Sequence, residues 1–332
     1  MRAVDPPPGD RVSTTVHLDP SDWSRHLARE TARGLADDPP WIPPVWFYDE
    51  VGSKLFDEIT RLPEYYLTEV ERSILRRRAA RIADLTGART LIELGSGTSD
   101  KTTLLLDALV DADTLRTVVP FDVSADVLRA SARALAAAYP HLAVRAVVGD
   151  FHRHLDLVPT GDATMIAFLG STIGNLDPEQ RATFLSGVAT ALGPGDWFLL
   201  GTDLVKPVDR LLAAYDDADG VTAEFDLNAL DVMNHEFGSD FDRRAFHHRA
   251  HWDAASSRIE MHLVADSPQV VTLSDLDGLV VRFDVGGHLR TEISTKFEPD
   301  GVADELSAAG FAVVERWFDD DRDFMLTLAR RR

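Results

Sequence analysis

The stretch Thr90-Leu91-Ile92-Glu93-Leu94-Gly95-Ser96-Gly97-Thr98-Ser99-Asp100-Lys101-Thr102 constrains this chain more than any other. The mostly apolar residues after Thr90 predict a short buried strand. Gly95 and Gly97 then let the backbone turn sharply and come close to a ligand. Thr98, Ser99 and Asp100 are candidate helix caps, with the helix continuing from Lys101 to Leu109. Strand, glycine turn and helix start together make a nucleotide cradle at the carboxyl end of a parallel strand, although an ordinary tight turn explains two glycines as well. A dinucleotide fingerprint needs a third glycine where Asp100 stands, and a carboxylate there repels a pyrophosphate. A nucleotide with a positively charged group suits Glu93, Gly95 and Gly97 better.

The E-x-G-x-G order after a strand resembles motif I of the class I methyltransferases, whose donor S-adenosylmethionine carries a sulfonium and an ammonium. The chain beyond it alternates as such a fold requires. Thr117-Val118-Val119-Pro120-Phe121 predicts a second strand ending at Asp122, an acid placed for ribose hydroxyls. Pro120 is awkward there, because it donates no ladder hydrogen bond. Ser124 can cap a helix from Ala125 to Tyr139. A third strand over Ala143 to Val148 runs into Gly149-Asp150-Phe151, where a carboxylate and an apolar ring suit adenine, or where Asp150 simply makes an Asx turn. The fourth strand, Thr164 to Leu169, opens into Gly170-Ser171-Thr172-Ile173-Gly174-Asn175-Leu176, a polar mouth at a central strand end. Asp177-Pro178-Glu179 starts the next helix, and a fifth strand ends at Gly201-Thr202-Asp203.

Composition narrows the function classes. A formal charge of −21 argues against a nucleic-acid surface, and the absence of cysteine excludes disulfides, thiolate nucleophiles and Cys-ligated metals. No apolar run approaches the ~20 residues of a membrane span. The first dozen residues lack the order of a signal peptide and read as a loose tail, which makes the cytoplasm the default.

Before the glycine turn, Pro43-Pro44 leads into Trp46-Phe47-Tyr48, and Leu62-Pro63-Glu64-Tyr65-Tyr66-Leu67-Thr68 follows. Tyr48, Tyr65 and Tyr66 offer hydroxyls and ring faces to a ligand, or pack as half-buried structural rings. Thr68 and Glu71 have capping-box spacing for a helix over Thr68 to Leu85. After the fifth strand the alternation breaks. A helix containing Ala214-Tyr215-Asp216-Asp217, another from about Ala223 to Glu236, and five strands between Phe246 and Ser294 form a mixed α+β insertion. A helix at Asp300 to Ala309 and strands at Ala312 to Phe318 and Phe324 to Ala329 close the sheet, the last one antiparallel.

In Arg290-Thr291-Glu292-Ile293-Ser294-Thr295-Lys296-Phe297, strand alternation projects Glu292 and Ser294 to one side. A carboxylate beside a hydroxyl suits both nitrogens of an imidazole, with Met261 packed against the ring; a solvated strand face and plain core are the alternatives. His247, His248 and His251 lack a third aligned ligand and a carboxylate at ligand spacing, so no metal is expected.

These motifs together resemble the L-histidine Nα-methyltransferases of ergothioneine biosynthesis, from about Trp46 to the C-terminus. The run Phe168-Leu169-Gly170-Ser171-Thr172-Ile173-Gly174-Asn175 is the most specific. The resemblance implies an α/β fold: a class I Rossmann-like methyltransferase with a seven-stranded sheet, plus a smaller α+β substrate-binding domain. The implied division is a disordered tail over 1–17, a substrate domain over 18–69 and 205–295, and a methyltransferase domain over 70–204 and 296–332. It implies a cytoplasmic monomer that makes hercynine from L-histidine, through its mono- and dimethyl forms, with S-adenosylmethionine and without nucleic-acid or membrane partners. The cofactor-binding set is then Glu93, Gly95, Ser96, Gly97, Lys101, Asp122, Asp150 and Phe151. The substrate-binding set is Tyr48, Tyr65, Gly170, Asn175, Tyr215, Met261, Glu292 and Ser294, with Asn175 and Tyr48 also catalytic. In that family, Asn and the glycine carbonyl hold the amine, the tyrosines at 48 and 215 hold the carboxylate, and the Glu/Ser pair reads imidazole. Glu292 favours histidine over a tryptophan-type amine. Leu67, where Pro is expected, and His288 near the Glu/Ser strand depart from the pattern. A methyltransferase of another aromatic amino acid and a non-catalytic S-adenosylmethionine-binding regulator are the rivals, and an NAD-dependent oxidoreductase is disfavoured by Asp100.

Overall fold

The computed structural model describes residues 11–96 and 101–332. Its strands, in chain order, are β1 (Val12–Val16), β2 (Thr90–Leu94), β3 (Thr117–Asp122), β4 (Ala143–Val148), β5 (Thr164–Phe168), β6 (Trp197–Asp203), β7 (Phe246–Asp253), β8 (Arg258–Ala265), β9 (Gln269–Leu273), β10 (Leu279–Phe283), β11 (His288–Thr295), β12 (Phe311–Phe318) and β13 (Phe324–Arg331). The helices are α1 (Pro20–Leu35), α2 (Glu50–Ile59), α3 (Leu67–Thr86), α4 (Thr102–Asp111), α5 (Ala125–Ala138), α6 (Pro178–Ala191), α7 (Val208–Tyr215), α8 (Val221–Phe237) and α9 (Pro299–Ala308). They fall into two compact units: residues 11–19 with Glu69–Leu204 and Phe297–Arg332, and Pro20–Thr68 with Val205–Lys296.

The first unit is built on one sheet in the order β1-β4-β3-β2-β5-β6-β13-β12. Pairing is parallel from β1 to β6 and antiparallel at β6–β13 and β13–β12. Strand order reverses between β2 and β5, the position where open α/β sheets bind ligands beyond their carboxyl ends. β2 and β5 are buried throughout, as apolar runs in a parallel sheet should be. Ile92, Phe121, Phe168, Phe184, Phe198 and Phe311 belong to the core beneath them.

Two expectations are corrected. The sheet has eight strands instead of seven, and the supposed disordered tail over 1–17 supplies the extra one. Val12-Ser13-Thr14-Thr15-Val16 is β-branched at four of its five positions, and it pairs in register with Val144 to Val148 on the edge of β4. The Pro- and Asp-rich residues before it hid that propensity. The β3–β4 ladder skips Val119 and Pro120, so the proline falls where pairing lapses.

Caps set the helix boundaries. Asp177 and Gln180 form a reciprocal capping box at α6 with Pro178 in its first turn. Ser124 stands at the α5 N-cap without a side-chain cap bond. The helix expected to contain Asp216-Asp217 ends at Tyr215, because the Asp217 carboxylate accepts from the N–H groups of Val221 (3.0 Å) and Thr222 (2.7 Å) and opens α8.

The second unit packs α7 and α8 against a three-stranded antiparallel sheet, β11-β8-β7, beside the hairpin β9-β10. The Asp49 side chain accepts from Gly52 N–H (2.7 Å) to cap α2 and from Asn228 Nδ2 (2.9 Å) to fix that helix to α8. A bulge between Arg290 and Glu292 resets the register of β11. Beyond it Glu292 faces Met261, Ile293 faces Glu260 and Ser294 faces Ile259.

Candidate active site

In the first unit, three adjacent parallel strands bring acids to their carboxyl ends. Glu93 on β2 is buried and accepts from the Thr102 hydroxyl. Gly95 turns with φ +66°, and the N–H groups of Gly95 and Ser96 donate to the Phe121 carbonyl at 2.9 and 3.1 Å. Asp122 ends β3 opposite Val148 of β4, and Gly149 N–H donates to its carbonyl at 2.9 Å. The Asp122 carboxylate accepts from Ser124 N–H (2.9 Å), and the buried Asp150 carboxylate from His152 N–H (2.9 Å). The Asx turn weighed at Asp150 is therefore present. Phe151 sets its ring edge-on to Phe168 and Phe184, at 5.4 and 5.6 Å. Gly97 and Asp100 lie outside the described residues. The carboxylates and the turned-back backbone fit a nucleotide with a cationic sulfur: Glu93 is level with Pro120, two residues before Asp122, and Asp122 is level with Val148, two residues before Asp150, so the acids step outward from β2 to β4.

The residue that ties this end of the sheet together is Glu71. Its side chain is fully buried, accepts from Gly170 N–H at 2.9 and 3.0 Å, and pairs with Lys101 Nζ at 2.5 Å. The capping box expected for Thr68 and Glu71 is thereby corrected: α3 starts a residue earlier, and Glu71 spends both oxygens on partners outside its helix. Gly201 makes room for it, since a Cβ there would lie 2.2 Å from Glu71 Oε1. Gly170 turns with φ +76° over Lys101. Asn175 ends the 3-10 turn Thr172–Asn175 and is half-buried.

In the second unit an aromatic row links three tyrosines. Tyr48 meets Phe56 at 5.7 Å, Phe56 meets Tyr65 at 6.3 Å, and Tyr65 meets Tyr215 at 6.3 Å, all edge-on. Tyr48 is half-exposed, whereas Tyr215 is buried with its hydroxyl 2.8 Å from Ser294 Oγ. Tyr66 turns elsewhere and accepts from Lys206 Nζ at 2.6 Å. Met261 is buried opposite Glu292, which brings the expected ring-packing and acceptor groups side by side on one sheet face. Phe225 backs this row, contacting both Tyr48 and Phe56, a packing that aromatic spacing in the sequence does not reveal.

The histidines serve other partners. His247 meets Asp266 at 2.7 Å. His248 lies between the Asp226 carboxylate (2.6 Å) and the Tyr215 carbonyl (2.8 Å), both of which accept, so the imidazole donates from both nitrogens. Burial alone would push His248 down, but Asp226, the Tyr215 carbonyl and nearby Asp216 outweigh it and hold the ring above its ordinary value. That buried ion pair pins the end of α7 that carries Tyr215. His288 packs edge-on against His262 (4.6 Å) in the group that contains Glu260, on the sheet face opposite Met261. The His262 hydrogen bond, opposed by burial and aided by Arg258, holds Glu260 down at about 2.

A doubly wound sheet with a glycine turn after its central strand and acids on the next two strand ends defines an S-adenosylmethionine-dependent methyltransferase. The family model described as "Histidine-specific methyltransferase, SAM-dependent" matches residues 27–331, and the chain belongs to that family. It is 51% identical to a histidine N-alpha-methyltransferase of Mycobacterium tuberculosis, over 97% of this chain and 100% of that protein. It is 52% identical to the Mycolicibacterium smegmatis protein of the same name, over 92% and 95%. A fungal relative, ergothioneine biosynthesis protein 1 of Neurospora crassa, is 36% identical over 61% of this chain and 24% of its own length.

Proposed function

We propose that this chain transfers methyl groups from S-adenosylmethionine to the α-amino nitrogen of L-histidine, three times in succession, giving hercynine for ergothioneine biosynthesis. The observation that carries this reading is the row of Glu292 and Ser294 facing Met261 and Ile259, in a chain about half identical to histidine N-alpha-methyltransferases. A carboxylate next to a thioether suits an imidazole, which offers an N–H and a flat apolar face. Glu93, Gly95, Ser96, Gly97, Lys101, Asp122, Asp150 and Phe151 are proposed to hold the donor. Tyr48, Tyr65, Tyr215, Met261, Glu292 and Ser294 are proposed to read the amino acid.

Bound S-adenosylmethionine supplies an electrophilic methyl carbon on a sulfonium leaving group. The chain's task is to hold an amine with its lone pair in line, and the Asn175 amide with the Gly170 carbonyl is assigned to that. An amino group with a pKa near ~8 gives its proton to water readily, so no dedicated strong base is required. Rate acceleration then comes from positioning and electrostatics. As methyl groups accumulate, the nitrogen loses hydrogen bonds and acquires fixed charge, which tyrosine faces attract by about 0.5–2 kcal/mol each.

The test is mass spectrometry of the product from histidine under saturating donor. Trimethylated histidine is expected, and a product that stops at one methyl overturns the three transfers. Turnover of tryptophan in preference to histidine overturns the substrate. The resemblance further implies a monomer in the cytoplasm; size-exclusion chromatography with light scattering checks the oligomeric state.

A further inference from the structure

The segment that lays β1 along β4 continues one residue past the strand. His17 N–H donates to the Val148 carbonyl at 2.9 Å, at the carboxyl end of β4. The His17 ring lies nearly parallel to that of His154, with 21° between the planes and 6.1 Å between the centroids. His154 in turn closes the loop that leaves β4. Its backbone N–H donates to the Asp150 carbonyl at 2.9 Å, and its Nδ1 accepts from the Asp150 N–H at 3.1 Å. Both backbone polar groups of Asp150 are thus bonded to one histidine, while His152 N–H turns the carboxylate. The Asx turn alone would orient that side chain; the closure by His154 fixes the backbone beneath it as well.

An imidazole that accepts at Nδ1 is neutral, with its proton on Nε2. Protonation removes the lone pair and sets a ring N–H against the Asp150 N–H, donor to donor. The charged and titratable groups facing the ring are Asp150, Arg153 and His17. Burial, with Arg153 and His17 adding to it against the pull of Asp150, holds His154 below its ordinary value, so the accepting form prevails at neutral pH. Leu155, the next residue, is buried in the core and anchors the far end of the loop.

We propose that His154 is a positioning residue for the S-adenosylmethionine donor, which sets the Asp150 backbone and with it the carboxylate assigned to adenine, and that His17 holds the His154 ring in place. The segment before α1 thereby contributes to donor binding through a chain of two histidines. Acid releases the loop, because the charged ring no longer accepts from Asp150. The inference rests on the proposal that Asp150 and Phe151 hold the donor.

The experiment is calorimetric binding of S-adenosylhomocysteine to the full chain between pH 8 and pH 5. Wild-type affinity is expected to fall roughly five- to tenfold toward the acid end, as His154 charges. His154→Asn places an amide oxygen where Nδ1 stands, so it is expected to stay within about threefold of wild type at pH 8 and to lose the acid decline. His154→Leu orphans the Asp150 N–H and is expected to bind roughly 5- to 50-fold more weakly at every pH. His17→Ala leaves the strand pairing of β1 intact and is expected to cost roughly threefold at pH 8, which His17→Phe restores by returning a ring. Should His154→Leu fail to fold, the pH profiles of wild type and His154→Asn decide the matter by themselves. An acid decline that survives in His154→Asn, or a His154→Leu protein that binds as wild type does, overturns the role of His154. Wild-type affinity in His17→Ala overturns the link to the preceding segment. Failure of wild type to bind S-adenosylhomocysteine at any pH overturns the underlying reading of the donor site instead.

Discussion

Replacing Glu71 with glutamine isolates the charge at the end of the sheet. The buried carboxylate serves Gly170 N–H and the Lys101 ammonium together. Glutamine keeps the volume and one acceptor, so Gly170 retains a partner, but its NH2 group then meets the ammonium donor to donor. Breaking a buried ion pair from one side costs about 3–5 kcal/mol. Lys101 is 23% exposed and can turn toward water, which takes Glu71→Gln below that range, to about 2–3 kcal/mol. Glu71→Ala also orphans the Gly170 N–H and adds about 1–3 kcal/mol. Urea unfolding of the three proteins measures the stabilities, and calorimetry with S-adenosylhomocysteine measures the cofactor site. Because Lys101 belongs to the proposed cofactor set, Glu71→Gln should also weaken S-adenosylhomocysteine roughly tenfold, about 1.4 kcal/mol. A Glu71→Gln protein within about 0.5 kcal/mol of wild type in both assays refutes the role of Glu71 as the tie between strand end and lysine.

Glu292→Ala should weaken histidine by about 1–3 kcal/mol and leave phenylalanine nearly unchanged, because only histidine loses a ring N–H partner; equal losses in competition binding would remove Glu292 from that role. The Asp226 pair holds His248 above its ordinary 6.5, so its stabilisation is complete below that pH and is lost as pH rises through the raised value. Unfolding free energies from pH 6 upward should fall more steeply for wild type than for His248→Asn, and parallel curves would contradict the charged imidazole. Glu260 behaves in the opposite sense: held at about 2 in the fold, it contributes above its ordinary 4.5 and that contribution disappears as pH falls toward 2. Glu260→Gln should therefore flatten the acid limb of the stability curve, and an unchanged limb would count against the His262–Glu260 bond.

What the sequence made legible was local. Punctuation by Gly95, Asp122 and Asp150 at successive strand ends marks a doubly wound sheet, because each is a short-range conflict between an apolar run and a turn residue. Glu292 and Met261 were named from chemistry, and their register across β11 and β8 makes them neighbours. Glu71 was illegible because a capping box explains it within three residues, whereas its partner Gly170 lies 99 residues away. Lys296 was passed over for a similar reason: a lysine after a strand reads as surface until Tyr215, 81 residues earlier, is found at its ammonium. His248 had no legible partner in the sequence, which argued only against a metal there, and the packing of α8 against β7 assigns it to Asp226.

The strand that the arm before Asp19 lays along β4 carries a practical consequence. Without it, β4 would offer a row of unsatisfied amides and carbonyls to the medium, beside the loop that begins with Asp150. Trimming or fusing the chain upstream of α1 is therefore not a neutral engineering choice, since a bared border of this kind invites separate molecules to zip together along it.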